Sequence, residues 1–207
     1  IPAAACGLVG LKPTFGEISC DGVVPLAPSL DHVGPLTRTV ADARIVYHAI
    51  RDVGAAPSPS SDPSSTRLGC PRSYFFDLLD DDVRRVTEDA LVRLGDAGWT
   101  LTDRPIAHAA DTAAVCLHLV LAEAAAVHEV GLEHRAEDYT RGVRLRLELG
   151  RYVQAEDYVR AERGRQVLTA AVDAALDGQE ALALPALAIP AHRLGTERFD
   201  FGPTSES

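Results

Sequence analysis

Residues 1–42 read IPAAACGLVGLKPTFGEISCDGVVPLAPSLDHVGPLTRTVAD, and the fold is decided in this stretch. Glycine and proline recur throughout residues 1–37. Because proline lacks a backbone donor and glycine is costly to order, long helices are excluded there. The segment predicts short strands and tight loops, of the kind that pass close to a site or to neighbouring strands.

A helix is predicted directly after this segment. Thr39-Val-Ala-Asp42 resembles a capping box, in which Asp42 suits the positive end of the helix dipole. Apolar residues then recur at helical spacing over residues 40–53, which predicts one buried stripe. Its members are Val40, Ala43, Val46, Tyr47 and Ile50.

The next part of the chain shows an α/β pattern. Residues 67–71 resemble a short buried strand, an amphipathic helix is predicted from Asp80 to Gly95 or Gly98, and residues 99–103 alternate like a strand. Strand, helix and strand in succession indicate the α/β class. The Pro- and Ser-rich residues 54–66 predict a surface loop within one domain.

The C-terminal half predicts three helices and one strand. Residues 111–131 are Ala-rich and apolar on nearly every face, which indicates a buried helix, and further helices are expected over 137–152 and 155–176. The core face of the last helix is predicted to carry Tyr158, Val159, Leu168, Val172 and Leu176. The apolar, Pro-bounded residues 181–190 indicate a central strand, and residues 195–207 are expected to be irregular.

Composition limits the classes of function. Apolar residues make up 46% of the 207 residues, as in globular proteins, and the net charge of −10 argues against direct nucleic-acid binding. Glu123 and His118 interrupt the most apolar window, so no membrane span is expected. Four cysteines without metal-site spacing predict semi-buried free thiols and a cytoplasmic protein. The chain has no methionine and starts at Ile1, which predicts an internal piece of a longer protein.

Several residue groups suggest a site but admit a structural interpretation. Ser29, Asp31 and His32 contain the residue types of a catalytic triad, yet they lie on one extended stretch, and a turn that bonds nearby backbone is favoured. His128 and His134 are too far apart for a zinc-protease helix, so no metal ligand is assigned to either or to His118. An acidic cluster before the second helix is interpreted as a helix cap. It comprises Asp77, Asp80, Asp81 and Asp82.

Four segments together resemble the amidase signature family. They are IPAAACGLVGLKPTFGEIS (residues 1–19), GVVPLAPSLDHVGPLTRTVADA (22–43), LELGRYVQAEDYVRAERGR (147–165) and EALALPALAIPAHRLG (180–195). The resemblance implies an α/β amidase-signature fold with a mixed β-sheet core covered by helices. Residues 1–207 are accordingly interpreted as one partial amidase domain that lacks the N-terminal part and the C-terminal end.

The family uses a serine nucleophile, a bridging serine in a cis peptide and a lysine base. In the family pattern the nucleophile precedes the x-Pro-Ala that Ile1-Pro2-Ala3 matches, so all three groups are expected upstream of Ile1. Lys12 is the only lysine, and it lies in the Gly-Leu-Lys-Pro-Thr-Phe-Gly turn that follows the nucleophile. No catalytic, cofactor-binding or metal-binding residue is therefore assigned, and Asp31 has either a positioning or a structural role.

The resemblance implies an amide-bond hydrolase that converts a carboxylic amide to an acid and ammonia or an amine, without a cofactor. Two alternatives stay open: the A subunit of a glutamine-dependent tRNA amidotransferase, and a catalytically inactive amidase-like fragment. The expected partner is a small-molecule amide, and a homodimer is compatible with the sequence. Acyl-group selectivity is expected to depend on the variable helices between Asp111 and Tyr152.

Overall fold

The N-terminal segment forms short elements around one long loop. The computed structural model describes residues 1–51 and 66–195. Helix α1 (Pro2–Ala5) leads into strand β1 (Val9–Gly10), which pairs antiparallel with β2 (Leu36–Thr37). The predicted short strands and loops are thus confirmed. Except for Thr66 and Gly195, the loop predicted over 54–66 and the irregular segment predicted over 195–207 lie outside the described residues.

Helix α2 (Val40–Ile50) begins as its sequence predicts. The Thr39 hydroxyl accepts a hydrogen bond from the Asp42 N–H at 3.1 Å, which satisfies one of the free donors of the first turn. The helix ends at Ile50, and the predicted end at Val53 lies outside the described residues.

The stripe predicted on α2 is only partly buried. Ala43 is 3% exposed, whereas Val40 is 72% exposed, so the prediction of one buried stripe is wrong over much of its length. The helix packs mainly on β1 and β2, which are two residues long and cover little of it.

A parallel sheet forms the second β unit. Strand β3 (Arg67–Cys70), helix α3 (Asp81–Asp96) and strand β4 (Thr100–Asp103) follow one another as predicted, and β3 pairs parallel with β4. Strand β5 (Ala181–Leu182) adds to the other side of β3, which gives the order β4-β3-β5. Phe76 and Leu91, the latter on α3, are buried against Cys70 of β3. The α/β class is confirmed, with its antiparallel and parallel pairs in two separate sheets.

Strand β5 differs from the long central strand predicted over 181–190. Only its first two residues pair, and they lie at the edge of the described sheet. Pro185 and Pro190 have no N–H to donate to a sheet ladder, which explains why pairing stops early.

Four helices build the C-terminal part. They are α4 (Thr112–Val127), α5 (Glu129–His134), α6 (Arg141–Gly150) and α7 (Ala155–Leu176). The bounds predicted for α7 are confirmed, but the helix predicted from residue 137 begins only at Arg141, after a short 3-10 turn. Helix α4 is central, since it packs against both α6 and α7.

Helix α4 is less buried than its composition predicts. Leu119 is 1% exposed, but Leu117 is 54% exposed, so the prediction of a buried helix is wrong for one side of α4. The helix predicted to reach residue 131 ends at Val127, and α5 begins at Glu129. By length and composition alone, Ala109–Val127 could cross a membrane, which the sequence prediction excluded. Helix α4 packs on α6 and α7, and the carboxylate of Glu123 within it accepts hydrogen bonds from Ser29 and Tyr158.

The core face of α7 consists of smaller residues than predicted. Ala161 and Ala175 are its buried residues, whereas Val159 is 48% exposed. A Cβ at Gly164 would stand 2.7 Å from a Val115 methyl carbon, so the two helices approach closely where side chains are small. Close approach at small residues explains why the bulky residues predicted there do not form the centre of the contact.

Candidate functional site

A cavity of about 670 Å³ opens beside the N-terminal residue. It is lined by Ile1–Ala4, Leu8–Lys12, His32, Gly34, Leu36 and Ala186. Helix α1 and strand β1 form one wall, and the loop between β1 and β2 returns to form the other. The resemblance places the nucleophile just before Ile1, so this cavity is the candidate active-site region.

Two glycine positions let the backbone pass close to this cavity. A Cβ at Gly34 would collide with the carbonyl oxygen of Leu11 and lie 3.3 Å from Pro13 Cδ, so only glycine fits there without a shift. The Leu11 N–H donates to the Pro35 carbonyl at 3.1 Å, which holds the two ends of the loop together. Gly7 has a φ of +64°, a conformation that side chains with a Cβ rarely adopt.

Lys12 and His32 contact each other at the cavity wall. His32 Nδ1 lies 2.8 Å from the Leu30 carbonyl oxygen, and because a carbonyl only accepts, this ring nitrogen carries the proton. Lys12 Nζ donates to the Pro13 carbonyl at 2.8 Å and lies 3.2 Å from His32 Nε2. The lysine is thus held by a carbonyl and an imidazole.

The side chains of Ser29, Asp31 and His32 form hydrogen bonds with three different sets of partners. The Asp31 carboxylate accepts from the N–H groups of Leu26, at 2.9 Å, and Ala27, at 3.1 Å, which confirms its predicted turn-forming role. Ser29 was predicted to bond nearby backbone, and this was wrong, because its hydroxyl donates to Glu123 of α4. The three side chains do not form a triad.

Glu123 is the centre of a half-buried polar network. One carboxylate oxygen accepts from the Ser29 hydroxyl at 2.5 Å and from the Tyr158 hydroxyl at 3.2 Å, and the other accepts from the Ser29 N–H at 2.9 Å. Arg165 donates to the Ser29 hydroxyl oxygen at 3.2 Å and to Glu162 at 2.8 Å. This network joins the loop of the candidate site to α4 and α7.

Glu123 was not singled out from the sequence as a site residue. The available signal was an acid inside the most apolar stretch of the chain, since a carboxylate in such a helix requires hydrogen-bond donors from elsewhere. Its partners lie 94 and 35 residues away in sequence. The sequence pattern therefore indicates that Glu123 needs hydrogen-bond donors, but it does not identify them.

Tyr158 provides a pH-dependent prediction. Burial, and after it the charge and hydrogen bond of Glu123, raise the pKa of Tyr158 above its ordinary 10.0. A raised pKa means that the folded state holds the Tyr158 proton more tightly than the unfolded state does. The stability that protonated Tyr158 contributes is therefore present below pH 10 and decreases as the pH rises through the folded-state pKa. Tyr158→Phe should cost about 1 kcal/mol near neutral pH and reduce the alkaline loss of stability.

Denaturant unfolding of both proteins between neutral pH and the alkaline range measures this effect. Tyr47, whose pKa is raised first by its hydrogen bond to Glu17, is present in both proteins and serves as an internal reference. If the two proteins lost stability in parallel above pH 10, the contribution assigned to Tyr158 would be wrong.

His118, His128 and Asp80, which were also considered from sequence, have partners within the protein. His118 Nδ1 lies 2.7 Å from the Ala114 carbonyl, and His128 Nδ1 lies 3.1 Å from the Tyr139 hydroxyl. Asp80 accepts from the Asp82 N–H at 2.9 Å, which confirms the helix-cap interpretation of the acidic cluster. Among residues 1–51 and 66–195, no group of three or more His, Cys, Asp or Glu side chains is arranged to hold a metal.

The thiols differ from the semi-buried set that the sequence predicts. Cys70 is buried in the core under α3, and burial raises the pKa of its thiol. Cys6, Cys20 and Cys116 are exposed. The prediction is wrong for these three, because Cys6 and Cys20 lie in turns or loops and Cys116 lies at a position of α4 that is open to solvent.

Comparison with known proteins gives one consistent result. A family model described as Amidase matches residues 1–205. An amidase of Pseudomonas putida is 36% identical over 211 residues, which cover 95% of this chain and 45% of that protein. The A subunit of the glutamyl-tRNA(Gln) amidotransferase of Geotalea daltonii is 30% identical over 237 residues, which cover 96% of this chain and 49% of that protein.

The structural comparison agrees with the sequence comparison. A solved structure described as "Crystal structure of amidase" superposes with a TM-score of 0.89 at 31% identity, covering 98% of this chain and 46% of that one. The chain spans about half the length of the curated relatives it matches.

Proposed function

The chain belongs to the amidase family, and on this premise we propose that it forms part of an amide-bond hydrolase. The reaction converts a carboxylic amide and water to a carboxylic acid and ammonia or an amine. The observation that carries the proposal is the family match over residues 1–205, which includes every residue that lines the N-terminal cavity.

The proposed mechanism assigns the covalent step to a serine that precedes Ile1 in the full protein. Its oxygen attacks the amide carbon, the C–N bond breaks, and the amine leaves with a proton; water then cleaves the resulting ester and restores the serine. The cavity between α1 and the loop that carries Lys12 and Gly34 supports this assignment, because it adjoins the place where that serine would lie. This chain would supply the walls of the site.

Labelling with a serine-directed fluorophosphonate tests the proposal. The 207-residue chain is expected to remain unlabelled, whereas a polypeptide extended by the residues that flank it on both sides in the full protein should be labelled at a serine before Ile1 and release ammonia from amides. Ser29→Ala, in both proteins, is the control for labelling at the loop serine. Labelling of the shorter chain, or an extended polypeptide that is neither labelled nor active, would contradict the proposal.

A second candidate is the A subunit of a glutamine-dependent tRNA amidotransferase. Its support is the similarity to the Geotalea daltonii protein over 96% of this chain. The two candidates differ in substrate: the amidotransferase component should release ammonia from glutamine in preference to simple amides. We place either enzyme in the cytoplasm, on the support of four cysteines without a disulfide pattern.

A further inference from the structure

A turn over residues 27–31 precedes the part of the loop that lines the N-terminal cavity. Within it, the N–H groups of Leu30 and Asp31 donate to the Ala27 carbonyl, both at 2.8 Å. The Asp31 carboxylate accepts from the N–H groups of Leu26 and Ala27. These bonds join residues that are at most five apart in sequence, so they fix the shape of the turn but not its place on the rest of the protein.

Ser29 fixes the turn on helices α4 and α7. Its N–H and its hydroxyl donate to the two oxygens of the Glu123 carboxylate. Arg165 donates to the Ser29 carbonyl at 3.4 Å and to the Ser29 hydroxyl oxygen at 3.2 Å. Glu123 and Arg165 are themselves hydrogen-bonded to Tyr158 and Glu162, respectively. The place of the turn therefore depends on partners that lie 94 and 136 residues away in sequence.

The turn leads directly to the cavity wall. The Leu30 carbonyl accepts from His32 Nδ1 at 2.8 Å, and the Phe15 ring meets the imidazole edge-on, with the ring centroids 5.3 Å apart. Because the proton is on Nδ1, Nε2 is an acceptor, and it lies 3.2 Å from Lys12 Nζ. Lys12 and His32 both line the N-terminal cavity. The position of the Leu30 carbonyl thus determines whether the imidazole can accept from Lys12.

We infer that Glu123 is a positioning residue for the reaction, an inference that rests on the proposed function. Through Ser29 it holds the turn that keeps His32 in the tautomer accepting from Lys12. Glu123 lies outside the residues that line the cavity, so it acts on the place of the cavity wall and not on the reacting atoms. A displacement of about 1 Å near a reacting group costs up to about 100-fold in rate, so this support matters for the attacking serine.

The contacts at position 123 require hydrogen bonding but not a charge. A glutamine amide oxygen there can accept from the Ser29 N–H, and the amide NH₂ group can donate to the hydroxyl oxygens of Ser29 and Tyr158, because a hydroxyl both donates and accepts. Glu123→Gln should therefore keep the turn in place. Alanine offers no acceptor, so Glu123→Ala should release it.

NMR of the histidine rings tests this link without requiring turnover. The extended polypeptide is prepared with isotope-labelled histidine and observed at a pH where the imidazole of His32 is neutral, and His32→Gln identifies the signals of this ring. The wild type should carry the ring proton on Nδ1. In Glu123→Ala the proton should shift mainly to Nε2, the tautomer that a free histidine side chain favours in water, whereas Glu123→Gln should keep it on Nδ1.

The rate of fluorophosphonate labelling provides a second measurement on the same polypeptide. Glu123→Ala should lower the rate constant of labelling at the serine before Ile1 by about tenfold or more, because the cavity wall moves relative to that serine. Glu123→Gln should stay within about threefold of the wild type.

Two further variants separate positioning from stability. Leu91→Ala opens a gap in the core cluster that contains Cys70 and Phe76, which lowers the stability of the fold, but it should leave the His32 tautomer unchanged. Ser29→Ala removes the hydroxyl bonds and keeps the N–H bond to Glu123, so it should shift the tautomer in the same direction but less far. It tests the same link if thermal unfolding shows that Glu123→Ala is not folded.

The outcomes separate this inference from the proposed function. Loss of the Nδ1 proton in Glu123→Ala, with its retention in Glu123→Gln and Leu91→Ala, supports the link from Glu123 to the cavity wall, even if the extended polypeptide is never labelled. An unchanged tautomer in the folded Glu123→Ala and Ser29→Ala proteins, or the same shift in Leu91→Ala, would overturn it, even if the polypeptide is an active amidase. Labelling of Glu123→Ala as fast as the wild type would also overturn it.

Discussion

Replacing Glu123 by alanine is expected to lower the free energy of unfolding by about 3 kcal/mol. The carboxylate accepts three hydrogen bonds, two from Ser29 and one from Tyr158, and alanine would leave all three donors without this acceptor. Hydrogen bonds to a charged group are stronger than neutral ones, and the site is half-buried, so water can replace the acceptor only in part. Denaturant unfolding of the wild type and the variant measures the loss.

The destabilisation caused by Glu123→Ala should be largest in the loop that reaches the candidate site. Because the Ser29 N–H donates to Glu123, hydrogen exchange of this amide should accelerate in Glu123→Ala more than exchange within α7. Glu129→Ala, on the exposed side of α5, is the matched control, with an expected change within about 0.5 kcal/mol. Equal stabilities for the two variants would show that the network does not hold the loop.

Local signals in the sequence determine much of the fold. The N-cap of α2 depends on Thr39 and Asp42, which are three residues apart, and the structure confirms it. The strand, helix and strand from residue 67 to residue 103 and the bounds of α7 depend on periodicity within one element, and they are likewise confirmed. In each case the residues that carry the signal are the residues that form the element.

Burial and long-range partners could not be predicted in the same way. The apolar stripe of α2 shows which side of the helix is apolar, but its burial depends on what packs there, and β1 and β2 are short. The partner of Ser29 is 94 residues away, so no local pattern identifies it.

The second large effect is expected at Gly150, the last residue of α6. A Cβ added there would collide with the backbone carbonyl of Leu121 and stand 2.8 Å from the Ala125 Cβ of α4. A backbone carbonyl cannot rotate away as a side chain can, so the two helices must separate. Gly150→Ala should therefore destabilise the protein by about 2–3 kcal/mol, even though alanine favours helix by about 1 kcal/mol.

Gly142 of the same helix is the matched control, because a Cβ there would meet nothing within 4 Å. Gly142→Ala should leave stability unchanged or raise it by up to about 1 kcal/mol, since only the helix propensity changes. Denaturant unfolding measures the change in the free energy of unfolding for each substitution. Changes of opposite sign would show that glycine is required at position 150 by the contact with α4 and not by the backbone conformation of α6. If both variants were stabilised, α4 and α6 could not lie as close together as Leu121 and Gly150 place them.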